Sequence, residues 1–428
     1  MSQEDRLHVD IPYGRGSAAV EIPGRLRVRE IAPVPREPAA DPRGAVARAL
    51  EELVGCISWE DFQGLETVAI AVNDKTRPVP HEVLLPPLLE RLQQAGFRRE
   101  HIVLLIATGT HPPMTPEEFP LILPDEIIRD YRVLSHDAYD EEQLSRVGET
   151  SRGTPVFLNR HFLAADLRVV VGNIEPHQFM GYSGGVKSAV IGLAGFRTVD
   201  YNHAFMRDPA ARLGKLEGNP TRSDVEEMGE LVRVDLALNA VLNRHKELVE
   251  AVAGRPHEVM RAGVEIARSI FEVPVETRAD AVLVSPGGHP KDINLYQAQK
   301  ALAHASLVAK EGAPILLFAA CPDGTGSEKY ERWVGECRSH EEVLRRFAEE
   351  GFRVGPHKAF QISRDAVGRR VVLVSTMPAE RVRRLLLEPA ADARAGVDAV
   401  LSGLPDDSLV AVMPIANATV PQLVGGEG

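Results

Sequence analysis

Apolar and polar positions follow one another in a recurring order along much of the chain. A short apolar run gives way to a polar loop, and the loop to a segment with apolar residues three and four apart. Residues 67–72 form an apolar, β-branched run ending in Asn73-Asp74-Lys75-Thr76-Arg77-Pro78, which predicts a buried strand with polar groups at its carboxyl end. Residues 83–94 carry helical spacing that Gly96 stops, and residues 102–107 form a second apolar run leading into Thr108-Gly-Thr-His-Pro-Pro113. Thr115-Pro-Glu-Glu118 then supplies the N-cap, N1 proline and N3 glutamate of a helix start. A third run, residues 167–171, enters Gly172-Asn-Ile-Glu-Pro-His-Gln-Phe-Met-Gly-Tyr-Ser-Gly-Gly-Val-Lys187. Strand, polar loop and helix in repetition predict an α/β fold with mainly parallel sheets, whose ligands gather at the carboxyl ends of the strands.

The flanking segments extend the same reading. Residues 1–43 alternate short apolar groups with Pro and Gly, which predicts a hairpin, and residues 45–53 predict a helix. Residues 225–239 and 258–271 have helical spacing, and 274–280 reads as a crossing between domains. Beyond it the pattern restarts: a strand at 281–284, the loop Ser285-Pro-Gly-Gly-His-Pro-Lys-Asp292, a helix at 296–310 and a strand at 315–318. Helices near 341–350 and 379–387 and strands at 371–375 and 409–413 complete it. The expected organisation is an N-terminal cofactor-binding α/β domain over 1–275 and a smaller C-terminal α/β domain over 276–410, with an active-site cleft between them. The tail 411–428 is a candidate to return to the first domain.

Composition narrows the function. The chain has 428 residues, 44% hydrophobic and 26% charged, with a formal net charge of −12, enough for more than one core. The negative balance opposes a nucleic-acid partner, which needs a basic surface, but a local pocket of Arg, Lys and His can still receive a small anion. Cys56, Cys321 and Cys337 are far apart and form no Cys-x-x-Cys pair, so they read as reduced thiols. Glu4, Asp5 and Arg6 stand where an export signal would need an apolar core, and no apolar run reaches a membrane span of about 18 residues. The expectation is a cytoplasmic protein with no membrane partner.

Candidate chemistry concentrates in the loops. Gly181 to Ser188 resembles a phosphate loop, but Val186 stands where that loop needs a glycine before its lysine, which weakens a kinase or ATPase reading. Lys187, at a helix start behind a glycine turn, is then either a solvated surface lysine or a nucleophile and covalent anchor; His177 and His203 nearby favour the second. His81-Glu82 is followed by Leu85 where a zinc protease motif needs histidine, so a self-contained zinc site is poorly supported. His203 could still complete a metal site that a cofactor otherwise supplies. His111 and His177 each follow a strand and as a pair could serve as acid and base. Arg77 could pin a carboxylate, Asp74 could accept from sugar hydroxyls, and Gln297 and Lys300 share one helix face.

Taken together, Asp74-Lys-Thr-Arg-Pro78, Gly109-Thr-His-Pro-Pro-Met-Thr115, His177, Gly181-Tyr-Ser-Gly-Gly-Val-Lys187, His203 and Gly287 to Asp292 followed by Tyr296-Gln297-x-x-Lys300 resemble the nickel-dependent lactate racemase family, in the family's order. The resemblance implies a racemase or epimerase, an isomerase that inverts C2 of a small 2-hydroxy acid, lactate or a related acid. It implies a nickel pincer nucleotide, pyridinium-3,5-bisthiocarboxylic acid mononucleotide nickel, covalently attached at Lys187, with His203 as the metal ligand. Asp74, Thr76, Gly184 and Gly185 would hold the nucleotide. His111 and His177 would be the acid and base, while Arg77, Gln297 and Lys300 would orient the carboxylate or the histidines. Cofactor-synthesis proteins would be partners. The competing readings are a non-catalytic nucleotide- or metal-binding protein and, ranked behind it, a phosphotransferase using the 181–188 glycine turn.

Overall fold

The computed structural model describes residues 6–424 and divides into two compact units, one of residues 35–270 and one formed by the N-terminal segment to Val34 together with the chain from Phe271 onward. Each has an α/β architecture.

In the unit of residues 35–270 a six-stranded sheet runs in the order Leu248–Gly254, Leu236–Leu242, Leu167–Ile174, Val68–Asn73, Ile102–Ala107, Arg132–Ser135. All neighbours are parallel except the first pair. Every residue of Val68–Asn73 is buried, because helices cover both faces of a parallel sheet and its strands must be apolar throughout. The helix His81–Gln94 presents Leu84, Leu85, Leu88, Leu89 and Leu92 to the core that holds Val68, Ile70 and Val72. Val68–Asn73 has the next strand of its own repeat, Ile102–Ala107, on one side and the later Leu167–Ile174 on the other. The strand order therefore reverses at Val68–Asn73, and the loops leaving its carboxyl end and that of Leu167–Ile174 open where doubly wound sheets bind ligands.

The second unit also contains a six-stranded sheet, in the order Glu388–Ala390, Val371–Val374, Ile315–Phe318, Ala281–Val284, Leu409–Met413, Arg27–Glu30, with every pair parallel. The hairpin Arg6–Tyr13 with Gly16–Pro23 buries Ile11, Val20 and Ile22 against Leu283, Phe318 and Val412 of that sheet.

Three expectations change. Residues up to 34 do not belong with the segment that follows them, because Arg27–Glu30 pairs in register with Leu409–Met413. The tail, apart from residues 425–428, which lie outside the described residues, stays in the unit from which it emerges. There Val420–Leu423 pairs with Glu272–Val275, and the Thr419 carbonyl accepts from His304 Nδ1 at 2.5 Å. Finally, the helix expected over 225–239 is the helix Pro220–Val232, ended by Arg233 at φ 57°, and the apolar residues beyond it form the strand Leu236–Leu242. A run as apolar as Leu-Ala-Leu-Asn-Ala-Val-Leu fits helical spacing and a buried strand equally well. Among the described residues no helix is long and apolar enough to cross a membrane.

Two buried histidines give the fold a pH dependence. His81, hydrogen-bonded to the Ile122 carbonyl at 3.0 Å, and His304 are both pushed down from the usual 6.5 to about 4 by burial. The unfolded chain binds these protons at higher pH than the folded one, so stability falls as pH drops from about 6.5 toward 4. Denaturant unfolding at pH 7 and pH 5 should show a loss of about 2 kcal/mol per histidine, with His81→Gln and His304→Gln variants each losing less of their own stability over that interval.

Candidate active site

The loop after Val68–Asn73 folds back on itself, Arg77 N–H donating to the Asp74 carbonyl at 3.1 Å. This turn leaves the Asp74 side chain buried, 4% exposed, against a His111 side chain that is 49% exposed. Asp74 Oδ1 accepts from Thr76 Oγ1 at 2.7 Å, and Oδ2 lies 3.0 Å from His111 Nδ1. Burial alone would raise the Asp74 carboxyl, but hydrogen bonds from His111 and Thr76 and the charges of His111 and Arg77 outweigh it and hold the pKa below the usual carboxylate value. An ionised carboxylate can only accept, so His111 Nδ1 carries the hydrogen. In the neutral ring Nε2 is then a bare acceptor.

His177 is in the opposite state. The short antiparallel pair Pro176–His177 with Gly181–Tyr182 closes a turn in which the Met180 N–H donates to His177 Nδ1 at 3.3 Å. With Nδ1 accepting, a neutral His177 carries its hydrogen on Nε2. The ring of Phe179 packs edge-on between His177 and His203, with centroids 4.7 and 5.1 Å away. His203 itself stands near the end of the helix Phe196–Ala204.

Behind His177 the chain makes its glycine turn. Gly184 and Gly185 have φ of 100° and 60°; a Cβ on Gly184 would meet the Ile174 side chain at 2.5 Å, and one on Gly185 the Met260 side chain at 2.5 Å. The backbone there is pinned from below, Gly185 N–H donating to Asn239 Oδ1 at 2.6 Å. Lys187 follows at the start of the short helix Lys187–Val190 and is 7% exposed. Its neighbour Ser188 donates to Asn73 Oδ1 at 3.1 Å, tying the lysine's helix to the strand end that leads into Asp74. The Ser183 hydroxyl beside the turn is buried with no hydrogen-bond partner among the described residues; an orphaned hydroxyl is costly unless a ligand completes it.

The helix Pro220–Val232 supports all of this through Asn219, Arg222 and Asp224, to which the sequence assigned no role. Asn219, its N-cap, donates to the Phe179 carbonyl at 2.9 Å. Arg222, fully buried, donates to the Tyr182 and Gly184 carbonyls at 3.4 and 3.2 Å and pairs with Glu226. Asp224 accepts from Asn202, which precedes His203, at 2.8 Å and from Thr150 and Thr154 at 2.6 and 2.9 Å. The available sequence signal is Asn219-Pro-Thr-Arg-Ser-Asp224, a capped helix start whose polar residues recur on what becomes a buried face.

Asp74, Thr76, Arg77, His111, His177, Gly184, Gly185, Lys187 and His203 thus all belong to the unit of residues 35–270. Gln297 and Lys300 belong to the other, on the helix Leu295–Val308, where Lys300 Nζ donates to Gln297 Oε1 at 2.9 Å. The preceding loop is held by Asp292, whose Oδ2 accepts from Gly14 N–H at 2.6 Å and Ala320 N–H at 3.1 Å. His357, unassigned by sequence, lies 3.4 Å from the Tyr296 hydroxyl. Among the described residues no group of three or more His, Cys, Asp or Glu side chains is arranged to hold a metal.

Comparison with known proteins gives this arrangement a lineage. The lactate racemase N-terminal domain family matches residues 13–214 and the lactate racemase C-terminal domain family residues 275–419. A lactate racemase of Thermoanaerobacterium thermosaccharolyticum is 30% identical over 419 residues, 95% of this chain and 97% of that one. That of Lactiplantibacillus plantarum is 30% identical over 302 residues, covering 70% of this chain and 71% of its own. Among solved structures, the lactate racemase apoprotein from T. thermosaccharolyticum superposes with a TM-score of 0.91 at 28% identity, over 97% of this chain and all of that one. A Thermotoga maritima protein with a TM-score of 0.65 and 18% identity, over 91% of this chain and all of its own, shares the fold. With both domain families matched in order and 30% identity sustained over 95% of its length, the chain belongs to the lactate racemase family of isomerases.

Proposed function

We propose that this protein racemises lactate or a closely related small 2-hydroxy acid, using a nickel pincer nucleotide tethered to Lys187. The observation that carries the reading is the opposed hydrogen bonding of its two loop histidines, a buried carboxylate at His111 Nδ1 and a backbone N–H at His177 Nδ1. His111 is held with a bare Nε2 by a buried carboxylate, and His177 with a hydrogen on Nε2 by a backbone N–H. Inversion at C2 through a planar 2-keto acid needs one group to take the hydroxyl proton and another to return a proton on the opposite face.

The residues fit the implied group. Lys187 is buried behind a turn with no room for side chains, the Ser183 hydroxyl there awaits a partner among the described residues, and Asp74 and Thr76 form a preorganised polar end. His203 would supply an imidazole to nickel, which accepts nitrogen in planar sites. When bound, the group supplies a reversible acceptor for the C2 hydride. His111 Nε2 would accept the hydroxyl proton and become an imidazolium, and His177, having taken a proton from water to become an imidazolium, would give its Nε2 proton to the oxygen on the other face and be left neutral. A turnover leaves the two imidazoles with exchanged protonation, which is the state needed for the opposite enantiomer; exchange with water resets them. Arg77 would fix the substrate carboxylate with its planar fork, and Gln297 and Lys300 would orient that carboxylate or the histidines. The proteins that synthesise the nucleotide would be partners.

Produced together with the cofactor-synthesis proteins, the chain is expected to carry nickel and an added mass localised to Lys187. Lys187→Ala should remove the mass while leaving the fold intact; an unmodified Lys187 with no nickel would contradict the reading. His111→Ala and His177→Ala should keep the added mass yet lose turnover by roughly 100- to 10,000-fold. Racemisation at the parental rate in either variant would remove it from the acid–base pair.

A further inference from the structure

Lys358 stands outside every role assigned above. It lies on the helix Pro356–Ala366 and is 5% exposed. Its Nζ sits 4.3 Å from the centroid of the Tyr296 ring and donates to Gln361 Oε1 at 2.9 Å, an oxygen that also accepts from Gln299 Nε2 at 3.3 Å. Tyr296, Gln299 and Lys300 all stand on Leu295–Val308, with Tyr296 and Lys300 one helical turn apart on one face. A lysine of the second helix is thereby lodged beside the turn that carries Gln297 and Lys300.

A buried ammonium is stable when a carboxylate compensates it. Here the contacts are an amide oxygen and an aromatic face. Burial first, then the positive charges of Lys300 and Arg364, push Lys358 well below the usual lysine range. Asp365, further along the same helix, is paired with Arg364 at 2.8 and 3.1 Å. Such an amine becomes favourable as a cation when an anion arrives beside it. In the proposed reaction Arg77, with Gln297 and Lys300 as orienting groups, would already meet the needs of one carboxylate, so Lys358 adds a cation that a monocarboxylic acid does not require.

We propose that Lys358 is a specificity-determining residue that receives a second substrate carboxylate, so that the acid turned over best is a short dicarboxylic 2-hydroxy acid. The assignment rests on the racemase reading for its reaction but not for its anion. In the cofactor-loaded enzyme, kcat/KM for malate or 2-hydroxyglutarate should exceed that for lactate by on the order of 10-fold or more. Lys358→Met should lower that ratio by about 10- to 100-fold, and Lys358→Arg should restore part of it. A parental preference for lactate, or an unaltered ratio in Lys358→Met, overturns the proposal. If the loaded enzyme racemises none of these acids, the racemase reading fails and the full-length apoprotein decides the anion question. At matched ionic strength malate should raise its melting temperature more than lactate does, and the difference should vanish in Lys358→Met. Equal shifts from the two acids, or a difference that survives in the variant, overturn the assignment.

Discussion

The guanidinium of Arg222 is fully buried, and what it grips determines what the site can present. Taking such a charge out of water costs several kcal/mol unless hydrogen bonds and a counter-charge compensate; here Glu226 supplies the charge and the Tyr182 and Gly184 carbonyls supply acceptors. Those two carbonyls belong to the turn that ends at Lys187. The same helix reaches Phe179 through Asn219 and the His203 helix through Asp224 and Asn202. One amphipathic element, polar where it would ordinarily be apolar, therefore fixes the lysine, the ring between two histidines and the helix that carries His203.

Rigidity of that kind bears on the proposed chemistry, in which it matters which ring nitrogen carries hydrogen. A solvated imidazole exchanges tautomers freely. At His111 the buried Asp74 carboxylate selects one tautomer, and at His177 a backbone N–H in a two-residue hairpin selects the other. The hairpin in turn depends on Gly181–Tyr182, the strand whose Tyr182 carbonyl Arg222 holds. A buried carboxylate at one ring and a backbone N–H at the other thus favour particular neutral tautomers before any substrate arrives, the kind of preorganisation the proposed reaction would use.

Much of this was legible in the residues, and the failures have a common cause. The strand-end loops with Asp74, His111 and His177 stood out because continuous apolar runs ending in polar clusters mark parallel strands. The pairing of Asp74 with His111 did not stand out, since 37 residues separate them and the contact exists only because their strands are neighbours. The expected boundary near 275 falls close to Phe271, but the N-terminal segment was placed differently for a similar reason: Arg27–Glu30 joins a sheet whose other strands lie far along the sequence, a non-local pairing that periodicity cannot register. The strand Leu236–Leu242 was hidden inside helical spacing. Arg222 and Lys358 were missed because buried charges read as solvated ones until their surroundings are known.

The central claim is that C2 inverts by hydride transfer while the two imidazoles handle only the hydroxyl proton. The most direct test is racemisation of a single enantiomer by the cofactor-loaded enzyme in deuterated water, with the C2 position of the inverted product examined by proton NMR. The account predicts that the original hydrogen is retained at C2, because only the oxygen-bound proton exchanges with solvent. Deuterium at C2 of the inverted product would mean that a side chain removes the C2 hydrogen as a proton, and would contradict it.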